Sequence, residues 1–427
     1  MKKRLKVLLL AYVVSPYRGS EYSVAWNFVS RMSRECEITV LYGASGEHMG
    51  DIDEMREYLE KQTLQNVEFI PVLPSRIGNA LNYANRKGWL PYTFYLAYNL
   101  WHRQAYRVAH RLVETRQYDL IHYLGPIGYR EPGYLWKLGL PYVWGPISGA
   151  TNVPFSLLAA LPLGGKCKFL FRSAANWVQL RFSMRLRHAL SNVDVLLTAT
   201  TENKSIFKSV LGKDSAYLPE NAIEGNPELD MSKFPIVGKI VLIWIGRIDA
   251  GKALGLFIDS LHASGCASKF IVHVVGDGPL KAGLQWSAQS KGVDESFIWH
   301  GQVPRVKVLE LLKKAHLNVI TSVSEGNPTT IWEAMRCGVP TLTLDHCGMR
   351  DTVSKENGIK IPVKRYDLLV ADLACEFKAL VAEPQRLSQM ASMVLRDAES
   401  YLWDRRVPFF LKKYDEAIAR RKVSQRG

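Results

Sequence analysis

The sequence predicts an α/β protein with two doubly wound parallel sheets. Short apolar runs alternate with helical segments along most of the 427 residues, a pattern typical of parallel sheets covered by helices. The alternation stops at a polar, proline-bearing stretch from Leu218 to Pro235 and then restarts. We therefore expect two Rossmann-like domains that face each other across a cleft, with ligands beyond the carboxyl ends of the strands.

The restart of the pattern sets the predicted domain bounds at 1–218 and 219–400, followed by a terminal helix at 401–427 that crosses back to the first domain. The basic N-terminus and the apolar run Val7–Val14 resemble a signal peptide. The run is only about eight residues long and no small-x-small site follows it, so it predicts a first buried strand. A first helix is expected near 22–34, and strands at 5–13, 37–42, 118–123, 142–144, 195–198, 240–245, 270–275, 297–299, 317–323 and 341–344.

The charge balance favours an anionic partner. Lys and Arg number 55 against 40 Asp and Glu, which gives a formal net charge of +15; nucleotides, phospholipid surfaces and nucleic acids are the candidate classes. The six cysteines are scattered and form no C-x-x-C pair. They are interpreted as reduced, mostly buried thiols of a cytosolic protein. No apolar run is long enough to predict a transmembrane helix.

The segment Ser324–Pro340 is the most informative of the chain. Asn327 is a good N-cap and Pro328 suits the first helical position, so a helix is expected to start here, after a buried strand. The first-turn amides of Thr329 and Thr330 then have no partner inside the helix. With the helix dipole they predict a site for an anion, most naturally a phosphate.

Two carboxylates flank this helix start, Glu325 just outside it and Glu333 in its second turn. A phosphate would repel a neighbouring carboxylate, so neutral hydroxyl groups are the expected partners, those of a sugar at one end and a ribose at the other. The alternative is one buried structural glutamate and one solvated surface glutamate.

Two further loops follow predicted strands of the same sheet. Gly246 and Gly251 allow close backbone approach to a ligand, and Arg247 and Lys252 suit a diphosphate whose negative charge grows as it leaves. The alternative is two solvated surface cations. The second loop, Val274–Leu280, forms a glycine turn but lacks the third glycine of a dinucleotide fingerprint, so it is only weak evidence for NAD.

In order, the segments 246–252, 276–279, 299–303 and 325–340 resemble the retaining GT-B glycosyltransferases of family 4. The match is most specific over 240–345. It extends less strictly to Gly19, Asp119-x2-His122, Pro219-x-Asn221, Trp403 and Tyr414.

The resemblance implies a role for each matched residue. Arg247 and Lys252 would hold the donor diphosphate, Glu325 would face the hydroxyls of the donor sugar, and Glu333 would bind the ribose. The amides of Thr329 and Thr330 would cap the distal phosphate, the backbone around Val303 would meet the nucleobase, and Gly19 would approach the phosphates from the first domain. The remaining expected donor contacts are Gly246, Gly278, Gly326 and Asn327.

The resemblance also implies a UDP- or GDP-sugar as the donor substrate, an acceptor bound by the first domain, and no cofactor. No metal would be needed, because cations and the helix dipole replace it. Retention is expected through front-side attack, in which an oxygen of the leaving phosphate accepts the acceptor's proton and no protein nucleophile is used.

The chain departs from the family pattern at two places. Gly145-Pro146 stands in the strand-end loop where many relatives carry a histidine, and Ser20 replaces the second glycine of the first loop. The Gly145 loop therefore lacks the side chain through which relatives would contact the donor sugar. His122 is either a site residue or a structural one.

A basic aromatic region runs from Arg76 to Arg187, where fifteen Lys or Arg face only three acids. Such a surface suits the headgroup zone of an anionic bilayer. A solvated cationic face over an ordinary aromatic core is the alternative, and no recognised motif supports nucleic-acid binding. Its aromatic residues are Trp89, Tyr92, Phe94, Tyr95, Tyr98, Trp101, Tyr106, Phe169, Phe171, Trp177 and Phe182.

The resemblance and the basic aromatic region together imply a retaining glycosyltransferase of surface polysaccharide synthesis (capsule, exopolysaccharide or lipopolysaccharide). Its acceptor would be a lipid-linked sugar or a polysaccharide, and it would lie in the cytoplasm on the inner face of the plasma membrane. The rivals are a GT-B sugar-nucleotide epimerase, a phosphorylase, which would need a Schiff-base lysine, and a non-catalytic membrane-associated sugar-nucleotide-binding protein. An NAD-dependent dehydrogenase would need a complete glycine fingerprint, which neither half supplies.

Overall fold

The computed structural model describes residues 4–90, 93–125, 128–228 and 230–425; Tyr92 of the basic aromatic region lies outside them. The chain divides into two compact units. The first unit comprises 1–150, 178–220 and 403–427, and the second comprises 151–177 and 221–402. Residues 151–177, which the sequence placed in the N-terminal domain, belong to the second unit because Val153, Leu157 and Phe169 pack into its core.

The first unit contains a parallel sheet of seven strands in the order β3-β2-β1-β4-β5-β6-β7. Leu9 at its centre pairs with Val40 on one side and His122 on the other. The central strands are buried on both faces, which explains their nearly continuous apolar sequences. The strands are β1 (Leu5–Ala11), β2 (Cys36–Tyr42), β3 (Val67–Pro71), β4 (Leu120–Gly125), β5 (Tyr142–Ile147), β6 (Val195–Thr198) and β7 (Ala216–Tyr217).

Helices cover this sheet through regularly spaced apolar residues. Helix α4 buries Ala97, Trp101, Ala105 and Ala109, four residues apart and therefore on one face. The Trp101 indole also donates to the Val72 carbonyl oxygen at 2.7 Å. The helices before β7 are α1 (Glu21–Met32), α2 (Asp53–Lys61), α3 (Arg76–Arg86), α4 (Thr93–Thr115), α5 (Leu163–Phe182), α6 (Met184–Asn192) and α7 (Thr201–Leu211). Helix α5 crosses the boundary between the two units.

The second unit contains a parallel sheet of six strands in the order β10-β9-β8-β11-β12-β13. Strand β11 is fully buried between β8 and β12, as the sequence predicted for the run before Ser324, although it ends at Ile320. The strands are β8 (Ile240–Ile245), β9 (Phe270–Val275), β10 (Phe297–Gly301), β11 (Leu317–Ile320), β12 (Thr341–Leu344) and β13 (Gly358–Ile361).

Helices alternate with the strands of the second unit along the chain. The last helix of the chain belongs to the first unit. No helix among the described residues has the length and apolarity that a membrane span requires. The helices are α8 (Leu254–Ser264), α9 (Lys281–Ser290), α10 (Arg305–Lys314), α11 (Thr329–Arg336), α12 (Cys347–Thr352), α13 (Tyr366–Ala382), α14 (Gln385–Ala398) and, in the first unit, α15 (Val407–Ser424).

Candidate functional site

The strand order of the second unit creates a switch point between β8 and β11. From β8 the chain builds outward through β9 and β10, and then returns to add β11 on the other side. The loops after β8 and β11 both lie at the carboxyl edge of the sheet there, the place where doubly wound sheets bind ligands. Arg247 and Lys252 follow β8 and Glu325 follows β11, so the topology brings together residues that are far apart in sequence.

Local hydrogen bonds fix the loop after β8. Asp249 Oδ1 accepts from the amides of Gly251 at 3.0 Å and Lys252 at 3.3 Å, which starts a single 3₁₀ turn. The Thr321 hydroxyl donates to the Lys252 carbonyl oxygen at 3.0 Å, and the Val323 amide donates to the Gly251 carbonyl oxygen at 2.9 Å. The backbone of Lys252 is therefore tied directly to the segment that follows β11.

Two glycines after β9 allow this edge of the sheet to close tightly. Gly276 has φ +130°, and a Cβ atom there would lie 1.9 Å from the Gly246 carbonyl oxygen. A Cβ atom at Gly278 would lie 2.3 Å from the Ile248 carbonyl oxygen. Side chains at these positions would push the loop after β8 away, so the glycines serve close backbone packing.

The central contact of the site is an ion pair between Lys252 Nζ and Glu325 Oε1. The side chains are 28% and 15% exposed, so each keeps a limited opening to solvent. Arg247 differs, because its side chain is 73% exposed and its Nε lies 3.8 Å from Asp249 Oδ2. The sequence predicted that these three residues converge. The structure pairs Lys252 with Glu325, whereas Arg247 is mostly exposed and pairs with Asp249 of its own loop.

The start of helix α11 corrects one prediction. Pro328, not Asn327, occupies the N-cap position, and no side chain caps this end in the described part of the chain. Asn327 is buried, and its Oδ1 accepts from Trp332 Nε1 at 2.6 Å and from the Asn221 amide at 3.2 Å. These buried donors need an acceptor, so the Asn327 side chain turns away from the helix end. The amides of Thr329 and Thr330 are left without a side-chain cap, as an anion site requires.

Glu333 lies in the second turn of α11, as predicted, and has a partner that the sequence did not reveal. Its Oε1 accepts from Arg305 Nε at 3.0 Å, and Arg305 Nη2 also lies 3.3 Å from Glu224 Oε2. Burial raises the pKa of Glu333, and Arg305 opposes only part of this rise. Arg305 opens helix α10 two residues after the half-buried Val303, which places a cation at the nucleoside end of the predicted site.

The two site candidates of the first unit have different surroundings. Gly19 precedes α1, and a Cβ atom there would have no neighbour within 4 Å. The next residue, Ser20, adopts φ +56°, a conformation that favours glycine. Ser20 therefore keeps the backbone expected of the family's second glycine, although it carries a side chain.

His122 is fully buried at the centre of the first sheet. Its Nε2 lies 2.8 Å from the Gly145 carbonyl oxygen and its Nδ1 lies 2.8 Å from the Tyr414 hydroxyl. Burial lowers the pKa of His122 to about 4, so the ring is neutral: Nε2–H donates to Gly145 and Nδ1 accepts from Tyr414. Nδ1 joins α15 to the sheet and Nε2 joins β4 to β5, so both nitrogens are engaged inside the protein, which favours the structural interpretation.

Parts of the chain are similar in sequence to a known protein family and to curated proteins. Residues 227–389 match the family model of the glycosyl transferases group 1. A putative teichuronic acid biosynthesis glycosyltransferase, TuaC of Bacillus subtilis, is 26% identical over 186 residues, which is 42% of this chain and 45% of that protein. A lipopolysaccharide 1,6-galactosyltransferase of Salmonella typhimurium is 28% identical over 118 residues, 26% of this chain and 32% of that protein. The chain thus spans less than half the length of these curated relatives.

Solved structures resemble nearly the whole chain. The lipopolysaccharide outer core galactosyltransferase WaaB aligns over 95% of this chain and 99% of its own, with a TM-score of 0.62 and 15% identity. Anabaena Alr3699/HepE in complex with UDP-glucose aligns over 96% and 100%, with a TM-score of 0.63 and 16% identity. These likenesses show that the two parallel-sheet units have the GT-B fold.

Proposed function

We propose that this chain, whose residues 227–389 match the glycosyl transferases group 1, is a retaining glycosyltransferase of family 4 that uses a nucleotide-diphosphate sugar. The observation that carries the proposal is the Lys252–Glu325 pair at the β8–β11 switch point, beside Arg247 and the uncapped start of α11. Together these groups offer two cations and free amides for a diphosphate, and one carboxylate for hydroxyl groups.

The ion pair explains how a carboxylate can lie next to a phosphate site. An ammonium group has three N–H donors, and Lys252 uses one of them on Glu325 Oε1. The others can reach a diphosphate, so Lys252 would lie between the two anions and reduce their repulsion. Glu325 would then accept from hydroxyl groups of the donor sugar and fix the position of its anomeric carbon.

The diphosphate gains negative charge as the glycosidic bond breaks. Lys252, the exposed Arg247 and the amides of Thr329 and Thr330 would stabilise that charge without a bound metal. An oxygen of the leaving phosphate would accept the proton of the attacking acceptor hydroxyl on the same face of the sugar. This front-side route retains the anomeric configuration and needs no nucleophile from the protein.

Glu333 and Arg305 would hold the nucleoside. Ionised Glu333 can accept from both ribose hydroxyls, and the Arg305 bond at 3.0 Å favours the ionised form and sets the direction of the carboxylate. The nucleobase, uracil or guanine, would lie against the backbone near Val303. Gly19, Gly246, Gly278 and Gly326 complete the proposed donor contacts, and Asn327, whose side chain is buried, would contribute through its backbone.

The proposed acceptor is a lipid-linked glycan or a polysaccharide, and the proposed location is the cytoplasmic face of the plasma membrane. Relatives named for teichuronic acid and lipopolysaccharide synthesis support a role in surface polysaccharide synthesis.

The proposed membrane contact rests on large apolar side chains that are exposed in the basic aromatic region of the first unit. They are Trp89, Leu90, Tyr95 and Leu96. Flotation with anionic liposomes should succeed at low salt and weaken at high salt; no binding at low salt rejects the membrane proposal.

The donor proposal is tested by screening nucleotide sugars for thermal stabilisation and hydrolysis, and then by Lys252→Ala. We expect the variant to bind UDP or GDP about tenfold more weakly or worse, because a charge-assisted contact is lost. Lys307→Ala is the matched control, since Lys307 is exposed and pairs with Glu310 at 2.9 Å on the surface. Unchanged affinity for both diphosphates in Lys252→Ala would refute the assignment.

A further inference from the structure

A group of N–H donors in the first unit converges on one tyrosine hydroxyl. Tyr134 is half-buried in the loop after β4. Its hydroxyl oxygen lies 3.0 Å from Arg185 Nη1, 3.1 Å from Asn99 Nδ2 and 3.5 Å from Arg103 Nε. Lys137 Nζ lies 5.4 Å from the centre of the same ring. These side chains come from three separate segments of the chain and form what we call the Tyr134 cluster.

A buried carboxylate makes the base of the Tyr134 cluster rigid. Glu131 Oε2 accepts from Arg185 Nη2 at 2.6 Å and from Asn99 Nδ2 at 3.0 Å. Its Oε1 accepts from the Gly133 amide at 3.2 Å. Both oxygens are occupied, so Glu131 holds Arg185 and Asn99 in place and has little capacity left for other cations.

The Tyr134 cluster has more donors and more positive charge than its own acceptors satisfy. A tyrosine oxygen has two lone pairs, yet three N–H groups approach it. Within the described residues, Arg103 and Lys137 form no ion pair with a carboxylate, so Glu131 alone offsets the charges of Arg103, Lys137 and Arg185. Burial raises the pKa of Tyr134, but the hydrogen bonds from Arg103, Asn99 and Arg185 outweigh it and lower the pKa below its ordinary value.

We propose that the Tyr134 cluster binds a phosphate or diphosphate group, the anionic end of the acceptor. Arginine side chains match the oxygen spacing of phosphate, and Lys137 adds a mobile charge at the exposed rim. Only the assignment to an acceptor rests on the proposed glycosyl transfer; the anion site stands without it. The phosphate can belong to a lipid or to a soluble molecule.

Helix α4 provides a matched control for this site. Arg107 lies one turn beyond Arg103, is also exposed, and contacts Gln104 Oε1 at 3.3 Å. It contributes the same long-range charge as Arg103 but has no contact with Tyr134 or Glu131 in the described part of the chain. A specific site should depend on Arg103, whereas a general basic surface should depend on both arginines equally.

The first test is titration calorimetry with inorganic pyrophosphate on the full chain carrying Arg247→Ala and Lys252→Ala. These changes remove the two cations proposed to bind the donor diphosphate. Any remaining pyrophosphate binding therefore does not come from the donor site, and the result tests the Tyr134 cluster independently of the proposed function. We expect saturable binding that Arg103→Gln weakens by about fivefold or more and Arg107→Gln by less than about twofold. No saturable binding, or equal losses in the two variants, overturns the proposal. Circular dichroism and melting temperature confirm that the variants fold.

The second test identifies the source of the phosphate. Vesicles of phosphatidylcholine, with and without phosphatidic acid, are mixed with the parent chain, the Arg103→Gln variant and the Arg107→Gln variant. Binding that requires phosphatidic acid, is lost only in Arg103→Gln and is displaced by pyrophosphate supports a lipid phosphate. Pyrophosphate binding with no preference for these vesicles supports a soluble phosphorylated acceptor. Vesicle binding that pyrophosphate does not displace, and that Arg103→Gln leaves intact, overturns a lipid-phosphate role.

Discussion

Two buried or half-buried glutamates, one in each unit, form short ion pairs with opposite consequences. Glu325 has one cationic partner, Lys252, and within the described residues its Oε2 accepts no hydrogen bond. Glu131 has both oxygens occupied, by Arg185, Asn99 and the Gly133 amide. A carboxylate with spare acceptor capacity can exchange partners with a ligand, whereas a saturated one fixes its surroundings. An ion pair alone therefore does not indicate that a carboxylate binds a ligand. A carboxylate oxygen that accepts no hydrogen bond within the protein does.

The largest expected effect is a loss of sugar transfer when Glu325 is replaced. Glu325→Ala should lower sugar transfer by at least about a hundredfold, because a contact to the donor sugar is lost where the bond breaks. Affinity for the nucleotide diphosphate and the free energy of unfolding should change little. Glu310→Ala, at an exposed pair with Lys307, is the control. Normal transfer by Glu325→Ala would remove Glu325 from the site.

The second expected effect is a loss of stability when Glu131 is replaced. Glu131→Ala should lower the free energy of unfolding by about 2 kcal/mol, because Arg185 loses its counter-charge while Asn99 and the Gly133 amide lose their acceptor. Urea denaturation measures this loss. Glu68→Ala, which breaks an exposed pair with Arg116 in the same unit, should cost less than about 1 kcal/mol. Equal losses in the two variants would show that Glu131 does not organise its surroundings.

The smallest effect concerns Glu333, which has one partner in Arg305 and a pKa raised by burial. A raised pKa means that Glu333 becomes protonated as the pH falls through a higher range than usual, and protonated Glu333 accepts less well from ribose hydroxyls. Nucleotide affinity should therefore fall toward acidic pH. Arg305→Gln removes a group that lowers this pKa, so the fall should begin at higher pH.

Calorimetry of nucleotide binding across the acidic range measures this shift. Arg386→Gln, at a distant pair with Glu376 in the same unit, should leave the profile unchanged. A pH profile that is identical in Arg305→Gln and the parent chain would show that Arg305 does not tune Glu333.

The sequence predicted the strands of both sheets well. Every predicted strand is present, and most of them are central parallel strands, which are apolar throughout and easily recognised. Three strands were missed: β3, β7 and β13. Strand β3 is a short edge strand with no fully buried residue, and β7 has only two residues, so neither produces a strong apolar run.

The sequence located the loops of the candidate site but not all of its contacts. It placed Arg247, Lys252 and Glu325 in strand-end loops because glycine, charge and helix-start patterns are local. Arg305, Tyr134 and Arg185 were missed, since each acquires its importance from a partner distant in sequence. Asn327 was assigned to a helix cap because its preference for that position is strong, but two buried donors from Trp332 and Asn221 took its side chain instead.

The sequence by itself determined the two-sheet α/β architecture and the loops that carry Arg247, Lys252 and Glu325, because apolar periodicity and turn residues act over a few neighbouring positions. The tertiary structure decided which charges are paired, which acceptors stay unused and that His122 is enclosed between Gly145 and Tyr414. Those properties depend on distances across the sheet and on the removal of water, and both arise only when strands distant in the chain pack together.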